Sequence, residues 1–332
     1  MSDLDSILQP IADAIKKGKK VTFFNGAGIS TSAGIPDFRS PESGLYANLA
    51  KLNLPFAEAV FDLDFFMENP QPFYTLASEL YPGSFAPTKF HQMIKLLQDQ
   101  NSLSRVYTQN IDTLERLAGV EDKYIVEAHG SFATNHCVQC HSEMDTETLK
   151  KDMKENRIPS CRSCEGYVKP DIVFFGEGLP KSFFKTWSKD SKHVEIAIVA
   201  GTSLTVQPFA FLPSEVGKKA LRILINKEKV GDFKHHPRKS DIIVLNDCDL
   251  IAEKLCGLLG IEDKLNELYE KGKSKYSKPE TKEELVHDIE EKLKSEANLK
   301  QKEPSEEQEE TTPKKEDKEE EELTDLVDKL KI

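Results

Sequence analysis

No uninterrupted apolar run in these 332 residues approaches the ~20 that a membrane-spanning helix needs, and the mean hydropathy is −0.50. No membrane-spanning helix, and no membrane partner, is therefore expected. Secretory chemistry is missing as well: the opening MSDLDSILQP carries two acids and no basic n-region. Nor is there a surplus of positive charge. Forty-five Lys and Arg face 57 Asp and Glu, a net of −12, which argues against wholesale capture of a phosphate backbone and predicts no direct sequence-specific nucleic-acid binding. Cysteine is sparse, with six in all. Without a signal peptide these favour metal binding over disulfides. A hydrophobic share of 38% still leaves enough apolar side chains for a real core.

Aromatic residues stop at Tyr276. Beyond it, residues 278–332 hold 20 acids and 11 lysines, a net of −9, whereas residues 1–277 carry only −3. A segment so poor in large apolar groups cannot offset its ordering entropy, so 278–332 reads as an acidic, mostly disordered tail. Leu285/Ile289/Leu293 and Leu323/Leu326/Val327/Leu330 have helical spacing. Isolated helices this short are marginal in water. They read either as transient, solvated helix or as a segment that docks on the body or on a neighbouring subunit, a route to self-association.

Six short runs look like strands covered on both faces: 21–24, 105–108, 124–126, 196–199, 221–225 and 241–245. Helical patterns lie roughly over 3–17, 57–67, 71–80, 87–100, 111–118, 207–219 and 248–259. This alternation predicts an α/β fold, a Rossmann-like parallel sheet with helices on both faces. A smaller domain is expected from two inserts, a helical one over about 40–85 and a cysteine-bearing one over about 134–168. Polar or glycine-rich loops follow five of the strands: Gly26-Ala27-Gly28, Gln109 to Asp112, His129-Gly130, Gly201-Thr202-Ser203 and Asn226-Lys227-Glu228. Ligands of doubly wound sheets bind outside the carboxyl ends of the strands, so these loops converge on one candidate site.

Four motifs carry chemistry. Gly26-Ala27-Gly28-Ile29-Ser30-Thr31 follows a strand and reads as a phosphate cradle or an ordinary turn. Thr31 stands where a dinucleotide fingerprint has a third small residue, and the acid expected about twenty positions on is missing. Cys137/Cys140 and Cys161/Cys164 have zinc-ribbon spacing. Four thiolates close the tetrahedron, so that zinc would be structural, with His136 and His141 exposed beside it. Glu127-Ala128-His129-Gly130 puts a histidine at a strand end, as a general base near neutral pH or as a hydrogen-bonded structural residue. Thr108-Gln109-Asn110-Ile111-Asp112 could bind a primary amide and an ordered water, or could be a helix cap.

Together these motifs resemble the sirtuins, the NAD-dependent protein deacylases. The matching strings are GAGIS (26–30), GIPDFRS (34–40), TQNID (108–112), EAHG (127–130), the cysteine quartet, KPDIVFFGE (169–177), GTSL (201–204) and INKE (225–228). They run in order over about residues 5–270, the expected catalytic domain. DFRSPESGLY and VFFGE are most similar to class I, the subgroup of cytoplasmic tubulin and histone deacetylases. The resemblance implies that acetyl-lysine and NAD give free lysine, nicotinamide and O-acetyl-ADP-ribose, on substrates such as histones or tubulin, in the cytoplasm with shuttling to the nucleus. By the same resemblance, His129 would be the general base for a ribose hydroxyl. Asn110 and Asp112 would orient the nicotinamide amide, and Ile111 would line its pocket. Phe38, between Asp37 and Arg39, would exclude water. Gly26, Ala27, Gly28, Ile29, Ser30, Thr31, Gln109, Gly201, Thr202 and Ser203 would contact the cofactor. Asn226, Lys227 and Glu228 would hold the adenosine ribose, with Cys248 near the adenine. Val173, Phe174, Phe175, Gly176 and Glu177 would take the peptide by strand addition.

Sirtuins that remove acidic acyl groups place Tyr and Arg three apart after the DFR string. Here Tyr46 is followed at that distance by Leu49, so neutral groups are expected: acetyl, and longer neutral chains. Three other readings compete. Mono-ADP-ribosylation of protein would leave label from NAD on protein, and a pure binding module would consume no NAD. A nicotinamide dehydrogenase lacks any evident second catalytic domain.

Overall fold

The computed structural model of the chain describes residues 3–36, 54–56, 58–81, 85–155 and 157–276. Asp37, Phe38 and Arg39, the Tyr46–Leu49 spacing and the 278–332 tail lie outside the described residues. All six anticipated strands form one parallel sheet: β1 Val21–Asn25, β2 Leu103–Thr108, β3 Ile125–Glu127, β6 Ile196–Ala200, β7 Leu221–Asn226 and β8 Ile242–Leu245. Their order is β3-β2-β1-β6-β7-β8, with parallel pairing throughout. Two strands were not anticipated, β4 Gly130–Cys137 and β5 Val168–Ile172, which pair antiparallel in a separate ribbon. β4 reads GSFATNHC; its apolar residues are too few to mark it as a strand.

Every residue of β1 and β6 is buried. Their side chains alternate between two cores. Phe23 and Ile198 point to one, built with α1 (Asp3–Lys16), α4 (Lys89–Asp99), α8 (Cys248–Leu259) and α9 (Glu262–Lys275). Phe24 and Val199 point to the other, with Phe183 and Trp187 of α7 (Lys181–Asp190) and with Phe209 and Phe233. This two-sided cover is why the strands are apolar almost without interruption. The third core belongs to the smaller module. There α2 (Leu63–Glu68) and α3 (Gln71–Leu80) bring Phe66 and Phe73 against Phe174, with Tyr74 beside both, and α6 (Thr146–Lys154) brings Leu149 towards Cys137 and Cys161. The molecule is thus an α/β protein with a Rossmann-like parallel core and a smaller helical and cysteine-cluster module.

Several helices differ from their sequence reading. The 57–67 pattern splits into a short turn, Ala59–Phe61, and α2, because the Asp62 side chain accepts the Phe65 N–H and restarts the helix. The 207–219 pattern yields only the short turns Phe209–Phe211 and Leu212–Glu215. The 111–118 pattern contracts to α5 (Leu114–Leu117). By contrast α4 starts where its sequence predicts, since Thr88 caps it in a reciprocal capping box with His91.

Candidate functional site

The sheet order reverses around β1, between β2 and β6, and a doubly wound sheet opens a crevice at such a point. The loops leaving β1 and β6 meet there. The Gly28 N–H donates to the Gly201 carbonyl at 2.8 Å. A Cβ on Gly28 would lie 2.7 Å from the Gly201 Cα, and Gly201 itself has φ +59°. The glycines therefore serve first to press two backbones together. The loop so formed lines the crevice with Gly26, Ala27, Gly28 and Thr31. Ile29 does not join them: its side chain is in the core. Ser30 is fully buried and works behind the wall.

Behind that wall the TQNID segment forms a network. Asn110 Nδ2 donates to the Gly26 carbonyl at 3.3 Å and lies 3.2 Å from the Ser30 hydroxyl. The Ser30 hydroxyl donates to Asp112 at 2.6 Å, and the Leu114 N–H donates to the same carboxylate at 2.9 Å. Gln109 Nε2 donates to the Thr202 hydroxyl at 2.8 Å, tying β2's loop to β6's. Asn110 and Ile111 face the cavity, while Asp112 stands behind them. Burial raises the Asp112 pKa above the usual carboxylate range, against the two donors that lower it. Glu115 was missed by the sequence reading. It is buried beside Asp112, and burial first and the Asp112 charge second push its pKa up to about 7.

His129 is half-buried at the end of β3, with Nδ1 3.0 Å from the Gln109 carbonyl. A carbonyl only accepts, so the neutral ring carries its proton on Nδ1 and its lone pair on Nε2. The next residue has to be glycine: Gly130 has φ +66°, and a Cβ there would meet the Asp171 carbonyl oxygen at 1.8 Å.

Across the cavity the loop 173–177 is stitched in at both sides. The Val173 N–H donates to the His129 carbonyl at 2.8 Å, and the Phe175 N–H donates to the Phe61 carbonyl at 2.8 Å. Lys169, 6% exposed, donates to Glu177 at 3.0 Å and to the Ile172 carbonyl at 2.6 Å. The same Glu177 oxygen accepts the Phe174 N–H at 2.7 Å. Burial lowers the Lys169 pKa, and Glu177 opposes that shift.

One cavity of about 730 Å³ takes in these loops. Its wall holds Gly26, Ala27, Gly28, Thr31, Gln109, Asn110, Ile111, His129, Gly201, Thr202, Ser203, Asn226, Lys227, Glu228 and Cys248, with all of 173–177. Burial pushes the Cys248 thiol up to about 12, so it is a wall group and not a nucleophile. Thr205, Val206, Gln207, Asn246, Asp247 and Phe61 also line the cavity and were not anticipated. Asn246 and Asp247 follow β8, so the strand-end rule applied to the sixth strand finds them. Phe61 comes from the helical insert and carries no such signal.

The four cysteines lie apart from this cavity. Their Sγ atoms are all within 4.8 Å of one another, with Cys137–Cys164 at 3.4 Å and Cys140–Cys161 at 3.5 Å. Those spacings exceed the ~2.05 Å of a disulfide and are near the edge of about 3.8 Å that a tetrahedron of ~2.3 Å Zn–S bonds requires. The donor set fits a closed structural zinc site. His136 turns to Asp171 at 2.8 Å and not to the sulfurs.

The Sir2 family model matches residues 26–208. The chain is 77% identical over 290 residues to the NAD-dependent protein deacetylase HST2 of Candida albicans, covering 87% of this chain and 88% of that protein. It is 53% identical over 268 residues to the NAD-dependent protein deacetylase hst2 of Schizosaccharomyces pombe, covering 80% of each. With the NAD-dependent protein deacetylase sirtuin-2 of Danio rerio the identity is 47% over 282 residues, covering 80% of this chain and 74% of that one.

Proposed function

The chain belongs to the Sir2 family and catalyses NAD-dependent protein deacetylation, and from that premise we propose how its own residues divide the work. NAD is consumed as a substrate, and its acetyl-ADP-ribose product carries the acyl group away. The phosphates lie on the Ala27–Thr31 loop, with Thr202 and Ser203 donating from the opposite side. The adenosine ribose sits at Asn226, Lys227 and Glu228. What supports this is the preset shape of that loop, where Asn226 Nδ2 donates to the Glu228 carbonyl at 2.9 Å.

Asn110, Ile111 and Asp112 hold the nicotinamide end, and His129 removes a proton from a ribose hydroxyl. The observation that carries this division is the bond from His129 Nδ1 to the Gln109 carbonyl. It orients the imidazole by the very segment that holds the nicotinamide, and its tautomer presents a basic Nε2. Phe38, with Asp37 and Arg39, excludes water by resemblance alone.

The acetyl-lysine peptide lies along 173–177. Narrowing the substrates to histone or tubulin type, a cytoplasmic residence with passage into the nucleus, the preference for neutral acyl groups, and the division into a catalytic domain over 5–270 and a tail over 278–332 that self-associates belong to the same reading. Their support is the sequence resemblance and the tail's composition. Among the described residues no helix is long and apolar enough to cross a membrane.

The test follows labelled NAD with an acetylated peptide. O-acetyl-ADP-ribose should carry the label; label on protein would mean ADP-ribosyl transfer instead. His129→Ala should lower product formation by roughly 10²–10⁴-fold, the usual worth of a general base, while NAD and peptide still bind. Undiminished turnover in His129→Ala would show that the base is elsewhere.

A further inference from the structure

A second layer lies behind the cavity. A ring nitrogen of His91 and carboxylate oxygens of Asp112 and Glu115 lie within 4.8 Å of one another. Two carboxylates that close cannot both be ionised without a large cost when one of them is buried, and Glu115 is only 2% exposed. The pair therefore holds a proton, and its neighbours decide where. Half-buried Asp112 accepts from two donors, the Ser30 hydroxyl and the Leu114 N–H, which favour the anion. Glu115 accepts as well, from its own backbone N–H, the Asn25 amide and the Thr108 hydroxyl, but it is the more deeply buried of the two and faces the fully buried Asn25. Asn25 Nδ2 donates to Glu115 Oε1 at 3.2 Å, while Asn25 Oδ1 is a buried acceptor with no partner among the described residues. An ionised Glu115 can only accept and would leave that oxygen unsatisfied. A protonated one can accept from the amide nitrogen and donate to the amide oxygen.

We propose that Glu115 is a positioning residue working as a neutral acid: it keeps a proton, gives it to the Asn25 amide oxygen, and leaves Asp112 as the single carboxylate behind the Asn110–Ile111 loop. The consequence reaches the base. The Asn25 carbonyl accepts the Gln109 backbone N–H at 3.1 Å and Gln109 Nε2 at 3.3 Å, and the Gln109 carbonyl in turn accepts from His129. Loss of the Glu115 proton would put a second charge within 4.8 Å of Asp112, leave the Asn25 amide oxygen unsatisfied and loosen the segment that aims His129. Burial raises the pKa of both carboxyl groups, in keeping with a pair that retains a proton.

The other ionisable groups around it do not supply a compensating cation. From α4, His91 accepts the Thr88 N–H at Nδ1, so its proton sits on Nε2, and burial drives its pKa down to about 3. Lys95 of the same helix is paired with Asp99. From β3, Glu127 adds negative charge towards Asp112 and is paired with Arg116. Thr108 also bonds Glu115, and a hydroxyl serves either protonation state.

The catalytic part of this inference rests on the proposed role of His129; the protonation of Glu115 does not, so two readouts are needed. Infrared difference spectra of the full chain, wild type against Glu115→Gln at about pH 6, well above the ordinary glutamate range, should show a carboxylic-acid carbonyl band in the wild type alone. In kinetics Glu115→Gln, which can still donate to Asn25, should keep kcat/KM for NAD within about threefold of wild type at neutral pH and lose part of the wild type's alkaline decline, whereas Glu115→Ala should fall by about tenfold or more. Should Glu115→Gln not fold, carboxyl-labelled glutamate in the wild type gives the same information by NMR: one side chain should titrate near 7. Absence of the acid band, glutamates that all titrate in the ordinary range, or an unaltered pH profile in Glu115→Gln would each overturn the proposal. A misassigned His129 would leave the infrared band in place.

Discussion

The backbone of Gly28 lies against that of Gly201, N–H to carbonyl at 2.8 Å, at the point where the strand order reverses. No side chain fits between them. Gly28→Ala would set a Cβ 2.7 Å from the Gly201 Cα, and backbone cannot swing aside as a flexible side chain can. The expected outcome is a loss of about 1–3 kcal/mol of stability, with NAD affinity reduced by about tenfold or more. Thermal unfolding and calorimetric titration with NAD check the two effects separately.

Lys169 and Glu177 form the other fixed relationship at the cavity. Lys169→Met removes the donor but leaves Glu177 capping the Phe174 N–H. Because Glu177 is partly exposed, the cost should fall at or below the low end for breaking a buried pair, about 3 kcal/mol. Steady-state kinetics should show a raised KM for acetylated peptide with little change in KM for NAD. Lys169→Arg should recover part of the peptide KM. An equal rise in both constants would mean that the pair supports the whole fold and not the peptide loop.

For the cysteine quartet the prediction is thermodynamic. Metal binding free energy is part of the folding free energy of such a module. Cys161→Ser should lose bound zinc, measured by elemental analysis, and with it several kcal/mol of stability, since Cys161 is buried among Leu149 and Met153. A variant without zinc that kept its melting temperature and activity would refute a structural role.

His91 and Glu115 bend the pH dependence of stability in opposite senses. The folded pKa of His91 is lowered to about 3. Its contribution is full above the ordinary histidine value of about 6.5 and is lost as pH falls towards 3. Glu115 is raised to about 7. Its contribution is full below about 4.5 and is lost as pH rises through 7. Between those two ordinary values the effects nearly cancel in the wild type. Glu115→Gln removes one of them, so its stability should fall more steeply on acidification, by up to ~1.4 kcal/mol per pH unit. Urea unfolding at a series of pH values reads that slope directly.

Much of the parallel sheet was legible because both its faces are covered. Runs such as Ile196–Ala200 have no polar alternation to confuse with a helix, and all five residues are buried. The strand-end rule then located much of the cavity wall, from Gly26 to Glu228, and the family resemblance added Cys248 and 173–177. The ribbon β4–β5 was not legible, since GSFATNHC carries its order in Gly130, in the cysteine ligand and in pairing with a strand about thirty-five residues away. α9 was missed for a related reason: Leu265 is its one buried residue, packed on a core built by other elements.

What the amino-acid sequence determined alone was local and repetitive: strand, turn, glycine at the crossing, cysteine at ligand spacing. Each follows from the chemistry of neighbouring residues. What only the tertiary structure decided was which groups stand in the wall and which stand behind it. Asp112 and Ser30 belong to strings that look like direct contacts, yet both are set back, and Glu115 and Asn25, ninety residues apart, share one buried bond. A sequence cannot show that bond, because it exists only once β1 and α5 are packed together and water is excluded between them.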